Sequence, residues 1–175
     1  MLQTITQNIS NKDIKININR LLSMDDEQSL AAEDRAAIAL AVAITLKNSK
    51  IINAIEANQE IMDDSHKTAA KLCAETMAMN NMYYRSIHLI DDSELTSTPV
   101  SLRMQNLMQH GIDKSLFELM SLSVSAINGC VMCLQSHFNQ LNAHYNSEQI
   151  AIALKIAATL HALSLHLTYA ELMGA

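Results

Sequence analysis

Tryptophan is absent from this chain, and aromatic residues make up only 3% of it. A surface that stacks nucleobases needs more of them, so that mode of nucleic-acid binding is excluded. Cationic residues are also scarce: 12 Lys and Arg stand against 18 Asp and Glu, for a net charge of −6. Nucleic acids and anionic membranes both require a basic face, so neither is an expected partner. Proline occurs once and glycine three times. So few chain breakers, among many Ala, Leu, Ile and Met residues, predict an all-α protein. Met1–Lys15 lacks a basic start followed by an apolar run, so no signal peptide is expected. The longest nearly uncharged stretch, Leu119–Leu134, contains Ser, Asn and Gly and falls short of the roughly 20 residues of a membrane span. A cytoplasmic location is the expectation.

What is present is enough for a core. Hydrophobic residues make up 49% of the 175, and charged residues 17%. That length suits one helical domain. Ile14, Ile18, Leu21 and Leu22 recur at helical spacing, which predicts a helix over 13–24, interrupted by Asp25 and Asp26. A second helix is predicted from Leu30 to Lys47, buried on most sides because Ala36–Leu46 is almost continuously apolar. After a break at Asn48-Ser49, a third covers Lys50–Met62. Ser65 is the expected cap of a fourth, and Asn80–Arg85 reads as a further helical piece. Residues 91–102, with Asp91, Asp92 and the lone Pro99, read as a linker. Beyond it, Ser115 opens a helix that Asn128-Gly129 ends. Cys130 starts another, reaching about Tyr145, and Asn146 caps the last, which runs to about Thr168.

Residues 1–90 and 103–175 share this plan, with Ser65 and Ser147 corresponding at an offset of about 82 residues. The offset places Cys130, Cys133 and His137 on Asn48, Ile51 and Ile55. If the halves are a repeat, only the second carries chemistry.

Three cysteines without a secretion signal do not suggest a structural disulfide framework. Cys130-Val131-Met132-Cys133 falls where a helix begins. Free N–H groups and the positive end of the helix dipole stabilise a thiolate there. His137 lies one turn beyond Cys133, so the three side chains share an arc of roughly 60°. An imidazole on the face of a thiol can take its proton.

Glu118 has two readings. Across the Asn128-Gly129 turn its carboxylate can orient His137. Alternatively, Ser115-Leu116-Phe117-Glu118 matches a capping box. Zinc is the alternative for the same group, with Glu118 or Cys73 as fourth ligand, although no second ligand cluster accompanies it. A c-type haem site needs His directly after the second Cys, where Leu134 stands. Cys73 and the eleven Met read as core residues, and His66, His88, His161 and His166 have no evident partners.

The pattern Glu118-x11-Cys130-x2-Cys133-x3-His137 resembles the active site of the alkylhydroperoxidase D family, within the carboxymuconolactone decarboxylase-like superfamily. Phe117-Glu118-Leu119, Val124–Cys130 and Met79–Arg85 carry the likeness further. The resemblance implies an all-α fold of duplicated halves, assembled as a homotrimer. It implies a peroxidase and disulfide reductase acting on alkyl hydroperoxides beside a peroxiredoxin of the alkyl hydroperoxide reductase C type. Dihydrolipoamide, carried on an acyltransferase subunit, would be the electron donor, with no tightly bound cofactor. Cys133 would be the peroxidatic thiol and Cys130 the resolving thiol, with Glu118 and His137 as the proton relay. Some members place His before the second Cys, where this chain has Met132. Rival readings are a cysteine-independent lactone enzyme of the superfamily and a non-enzymatic redox-sensing or zinc-binding module.

Overall fold

Nine α-helices and one 3-10 turn, with no strand, make up the described residues of the computed structural model. These are residues 1–7, 9–24, 29–58 and 60–174, apart from the side chains of residues 106 and 108. The predicted break at Asp25 and Asp26 lies outside them. The helices are α1 (Gln3–Thr6), α2 (Lys12–Leu21), α3 (Ala32–Thr45), α4 (Ser49–Glu56) and α5 (Asp64–Ile90). They continue as α6 (Ser93–Ser97), α7 (Lys114–Asn128), α8 (Val131–Leu141) and α9 (Ser147–Leu172), with the 3-10 turn at Gln105–Met108.

Helix α3 is the centre of the core. Every residue from Arg35 to Ala43 is buried, and the helix packs on α4, α5, α7 and α9. Alanine at 36, 37, 39, 41 and 43 keeps its surface low, so neighbouring helices approach closely. A larger side chain at Ala37 or Ala39 would overpack that contact, at a cost of about 1–3 kcal/mol. Arg35 is the one charge in this run. Its guanidinium donates to the carbonyls of Ser23 (2.6 Å) and Leu30 (2.7 Å), which anchors those two residues to α3.

The helix starts differ from expectation in an instructive way. Asp63 rather than Ser65 caps α5, accepting from His66 N–H. Asp113 rather than Ser115 caps α7, accepting from Ser115 and Leu116 N–H. In both, a carboxylate two residues upstream of the serine takes the free N–H groups, because its charge complements the helix dipole. Helix α4 stops at Glu56, short of Met62, whereas α5 runs unbroken to Ile90 and absorbs the Asn80–Arg85 piece. The linker contains the short α6, capped by Asp92. Asn146 caps α9 with a full capping box, in which Gln149 returns the bond.

Helix α9 is long and apolar enough to cross a membrane, more so than the Leu119–Leu134 stretch. Half of its most apolar window is buried, and it packs against α2, α3 and α7. That makes it a core helix of the fold.

Candidate active site

The site is assembled where α7 turns into α8. Gly129 closes α7 in the left-handed region (φ 66°), which glycine adopts without strain. Cys130 N–H then returns to Ser125 O at 3.2 Å, and the chain re-enters a helix at once. Cys130 is the N-cap of α8, its sulfur accepting from Cys133 N–H at 3.3 Å. Asn48, its counterpart in the offset, caps α4 in the same manner through Ile51 N–H.

Helix α5 fastens this turn. Asn81 is buried and spends both ends of its amide. Its Nδ2 donates to Ser125 Oγ, and its Oδ1 accepts from Asn128 Nδ2, each at 2.9 Å. One turn on, Arg85 donates to Asn128 O at 2.5 Å. The Met79–Arg85 motif therefore contributes more than packing: it holds the end of the helix that delivers Cys130.

Cys130 and Cys133 are joined by a disulfide. Cys130 has 0% exposure and Cys133 7%, so the bond is shielded from bulk solvent. Cys133 alone of the pair lines a cavity of about 500 Å³ between α5, α7 and α8. Its wall is largely apolar, with Met77 and Tyr84 from α5, Phe117 from α7 and Met132 from α8. His110 stacks on Phe117 with ring centroids 4.4 Å apart.

Glu118 and His137 line the same cavity. Glu118 Oε2 lies 2.6 Å from His137 Nδ1, and the two side chains are only 15% and 14% exposed. With α7 capped by Asp113, the capping-box reading of Glu118 gives way to this contact. A carboxylate on Nδ1 fixes the ring, selects the tautomer with its lone pair on Nε2, and stabilises the imidazolium. All four residues singled out from the sequence are thus brought together: a shielded disulfide, and an imidazole held by a carboxylate on the wall of the same cavity.

Comparison with known proteins gives this arrangement a context. Residues 94–168 match the carboxymuconolactone decarboxylase family. The alkyl hydroperoxide reductase AhpD of Coxiella burnetii is 41% identical over 168 residues, covering 94% of this chain and 95% of that protein. AhpD of Maricaulis maris is 40% identical over 155 residues, covering 87% and 88%. The chain belongs to the AhpD group of the carboxymuconolactone decarboxylase family. AhpD of Rhodopseudomonas palustris, at 37% identity over 155 residues, extends the likeness.

The remaining candidates of this AhpD-family chain fall into place around the site. Cys73 is buried and lies 3.5 Å from Ser121 Oγ. Burial pushes its thiol up to about 12; the Ser121 contact opposes that rise and the charge of Glu118 adds to it. It is a core residue, and a poor zinc ligand while so strongly held as a thiol. Cys130 and Cys133, bonded to each other, would bind zinc only after reduction. His66 does have partners: its Nδ1 lies 2.8 Å from Asp63 and 3.2 Å from Glu33. Asn80, Asn81 and Arg85 have no individual roles that the sequence alone shows. Two adjacent amides on an otherwise apolar helix face were the available signal.

Proposed function

We propose that this chain is a thiol peroxidase and disulfide reductase in which Cys133 is the peroxidatic and Cys130 the resolving residue. The observation that carries the reading is the Glu118–His137 pair at 2.6 Å on the wall of the cavity that Cys133 also lines. In the reduced protein, His137 Nε2 takes the proton of Cys133. The thiolate attacks the hydroxyl oxygen of a hydroperoxide, an S–O bond forms and the O–O bond breaks. The electron pair leaves on the alkoxide, which takes the proton back from His137 and departs as alcohol. Cys133 is now a sulfenic acid, oxidised by two electrons. Cys130 attacks its sulfur, water leaves with the Cys130 proton, and the disulfide results. Glu118 keeps the ring aimed throughout and offsets its positive charge. Met132, in place of a second imidazole, leaves this one relay to activate the thiol.

A dithiol then attacks the disulfide and leaves as a cyclic disulfide, returning two thiols. Dihydrolipoamide on an acyltransferase subunit fits this step, because its sulfurs sit at the end of a slim apolar arm. By likeness to relatives named alkyl hydroperoxide reductase, the same dithiol serves a peroxiredoxin of the C type. A cytoplasmic homotrimer of duplicated, single-domain chains is the expected setting. It agrees with the shared N-cap role of Asn48 and Cys130, and with the solvent-facing Leu165, Tyr169 and Leu172 of α9.

The test is a thiol count. The reduced protein should lose two of its three thiols to one equivalent of cumene hydroperoxide and regain them with dihydrolipoamide. Retention of all three would remove the enzyme reading and favour a binding module, and loss without recovery would favour a sensor.

A further inference from the structure

Lys114 stands where its charge does little for the fold. It is the first residue of α7, directly after the Asp113 N-cap, so it meets the positive end of the helix dipole. It has no ion pair among the described residues. The nearest carboxylates along the chain are otherwise engaged: Asp113 accepts from Ser115 and Leu116 N–H, and Glu118 holds His137. Lys114 lines the cavity of Cys133, and among the described residues it is the one Lys or Arg that does. Helix α8 runs back along α7 from the Gly129 turn, which gives the cavity a near and a far end. Ser121 and Cys133 lie toward the turn, Glu118 and His137 further along, and Lys114 and Gln140 beyond them. Two turns of helix, roughly 10 Å, separate Ser121 from Lys114. Met77 and Phe117 make the wall apolar, and the 3-10 turn adds Met104 and Leu107 to it.

We propose that Lys114 receives the carboxylate of an amphiphilic hydroperoxide, and that the substrates of this cavity are oxidised fatty acids. The proposal rests on the peroxidase reading above and names its substrate class. A thiol at one end, a cation at the other and an apolar wall match a hydrocarbon chain that ends in an anion. One ammonium balances one carboxylate, whereas a phosphate calls for more donors than a single lysine supplies. The net charge of −6 repels anions elsewhere, so a local cation is needed to admit one. Glu118, the one carboxylate on the wall among the described residues, is turned to His137 and not to Lys114. With the carboxylate on Lys114 and the chain along the wall, a hydroperoxide group roughly 10 Å down the chain reaches Cys133. The chemistry is that given above, and the product is a hydroxy acid. Neutral peroxides lack this anchor and enter with no preferred end.

The experiment measures single-turnover oxidation of the reduced protein by a linoleic acid hydroperoxide and by its methyl ester. The quantity read is the ratio of the two rate constants below saturation. Wild type should favour the acid, and Lys114→Met should lower the ratio by about fivefold or more, the scale of one charge-assisted hydrogen bond at a partly exposed site. Lys114→Arg should keep the wild-type ratio, because it keeps the charge. Added salt should lower the ratio in wild type and leave it in place in Lys114→Met. An equal ratio in wild type and Lys114→Met overturns the proposal and leaves the peroxidase reading intact, even if both rates fall, since Lys114 would then act on the thiol or the relay. Titration of dodecanoate and dodecanol into the oxidised protein gives a reading free of peroxide chemistry. Binding of dodecanoate that weakens in Lys114→Met, with dodecanol unaffected, supports the anion site, and equal binding in both proteins overturns it. A wild-type protein that reacts with neither peroxide removes the peroxidase reading, and the titration still decides whether Lys114 holds a carboxylate.

Discussion

Glu118 and His137 meet at 2.6 Å although they belong to successive helices, because the Gly129 turn folds α8 back along α7. In the proposed mechanism the pair works as one unit: the carboxylate acts only through the ring it aims. His137→Phe and Glu118→Gln should each slow peroxide oxidation of the reduced protein by roughly 10²–10⁴, the range for a lost general base. The double variant should fall little below the slower single one, since residues of one relay are not additive. Single-turnover rates at neutral pH check this, and full additivity would separate the two roles.

The unequal placement of the two sulfurs predicts unequal variants. Cys133 lines the cavity and Cys130 does not. Cys133→Ser should abolish peroxide turnover. Cys130→Ser should react once and stop at a sulfenic acid, which dimedone traps on Cys133. Equal residual turnover in both would contradict the assignment.

Cys73 provides an internal control. Its thiol, pushed up to about 12 by burial, stays protonated at pH 8. Iodoacetamide should therefore modify Cys133 first in the native reduced protein, and Cys73 only after denaturation. Mass spectrometry of the alkylated peptides distinguishes them.

Asp113 makes a pH-dependent contribution at the start of the helix that carries Glu118. The Ser115 hydroxyl hydrogen bond, opposed by slight burial and aided by Leu116 and Ser115 N–H, holds its carboxyl below the usual range. A depressed folded-state pKa stabilises above the unfolded value of about 3.9 and is lost as pH falls through the folded one. Asp113→Ala should cost about 1 kcal/mol near neutrality, as for a lost N-cap, and less in acid. Urea unfolding at the two pH values measures the difference.

Asn81→Leu should be more costly than Asp113→Ala, because it leaves the buried Ser125 hydroxyl and the half-buried Asn128 amide without their partner. About 1–3 kcal/mol is expected for each buried group left without its partner. Thermal unfolding measures the loss.

Much of this was readable in the residues. The near-continuous apolar run of α3 announced a central helix, the Cys130, Cys133 and His137 spacing announced a shared face, and the family resemblance added Glu118 to them. Helix starts were harder, because Asp63 and Asp113 each precede a serine that is itself a good cap. Only the path of the entering chain decides between such neighbours. Asn80–Arg85 reads locally as a separate helical piece, whereas it continues α5 without interruption. The Asn81 amide is instead used across helices, toward Ser125 and Asn128, and Asn80 lines the cavity. No local pattern encodes a partner more than forty residues away.

The seclusion of the disulfide restricts who can trade electrons with it. With Cys130 fully covered and Cys133 on the wall of a cavity of about 500 Å³, little of the bond is presented to a broad partner surface. A helix alone is about 10–12 Å across with its side chains. Under the proposed cycle a reductant borne on a slender pendant group suits such a site, and the length and freedom of its tether would then govern the pace of recharging.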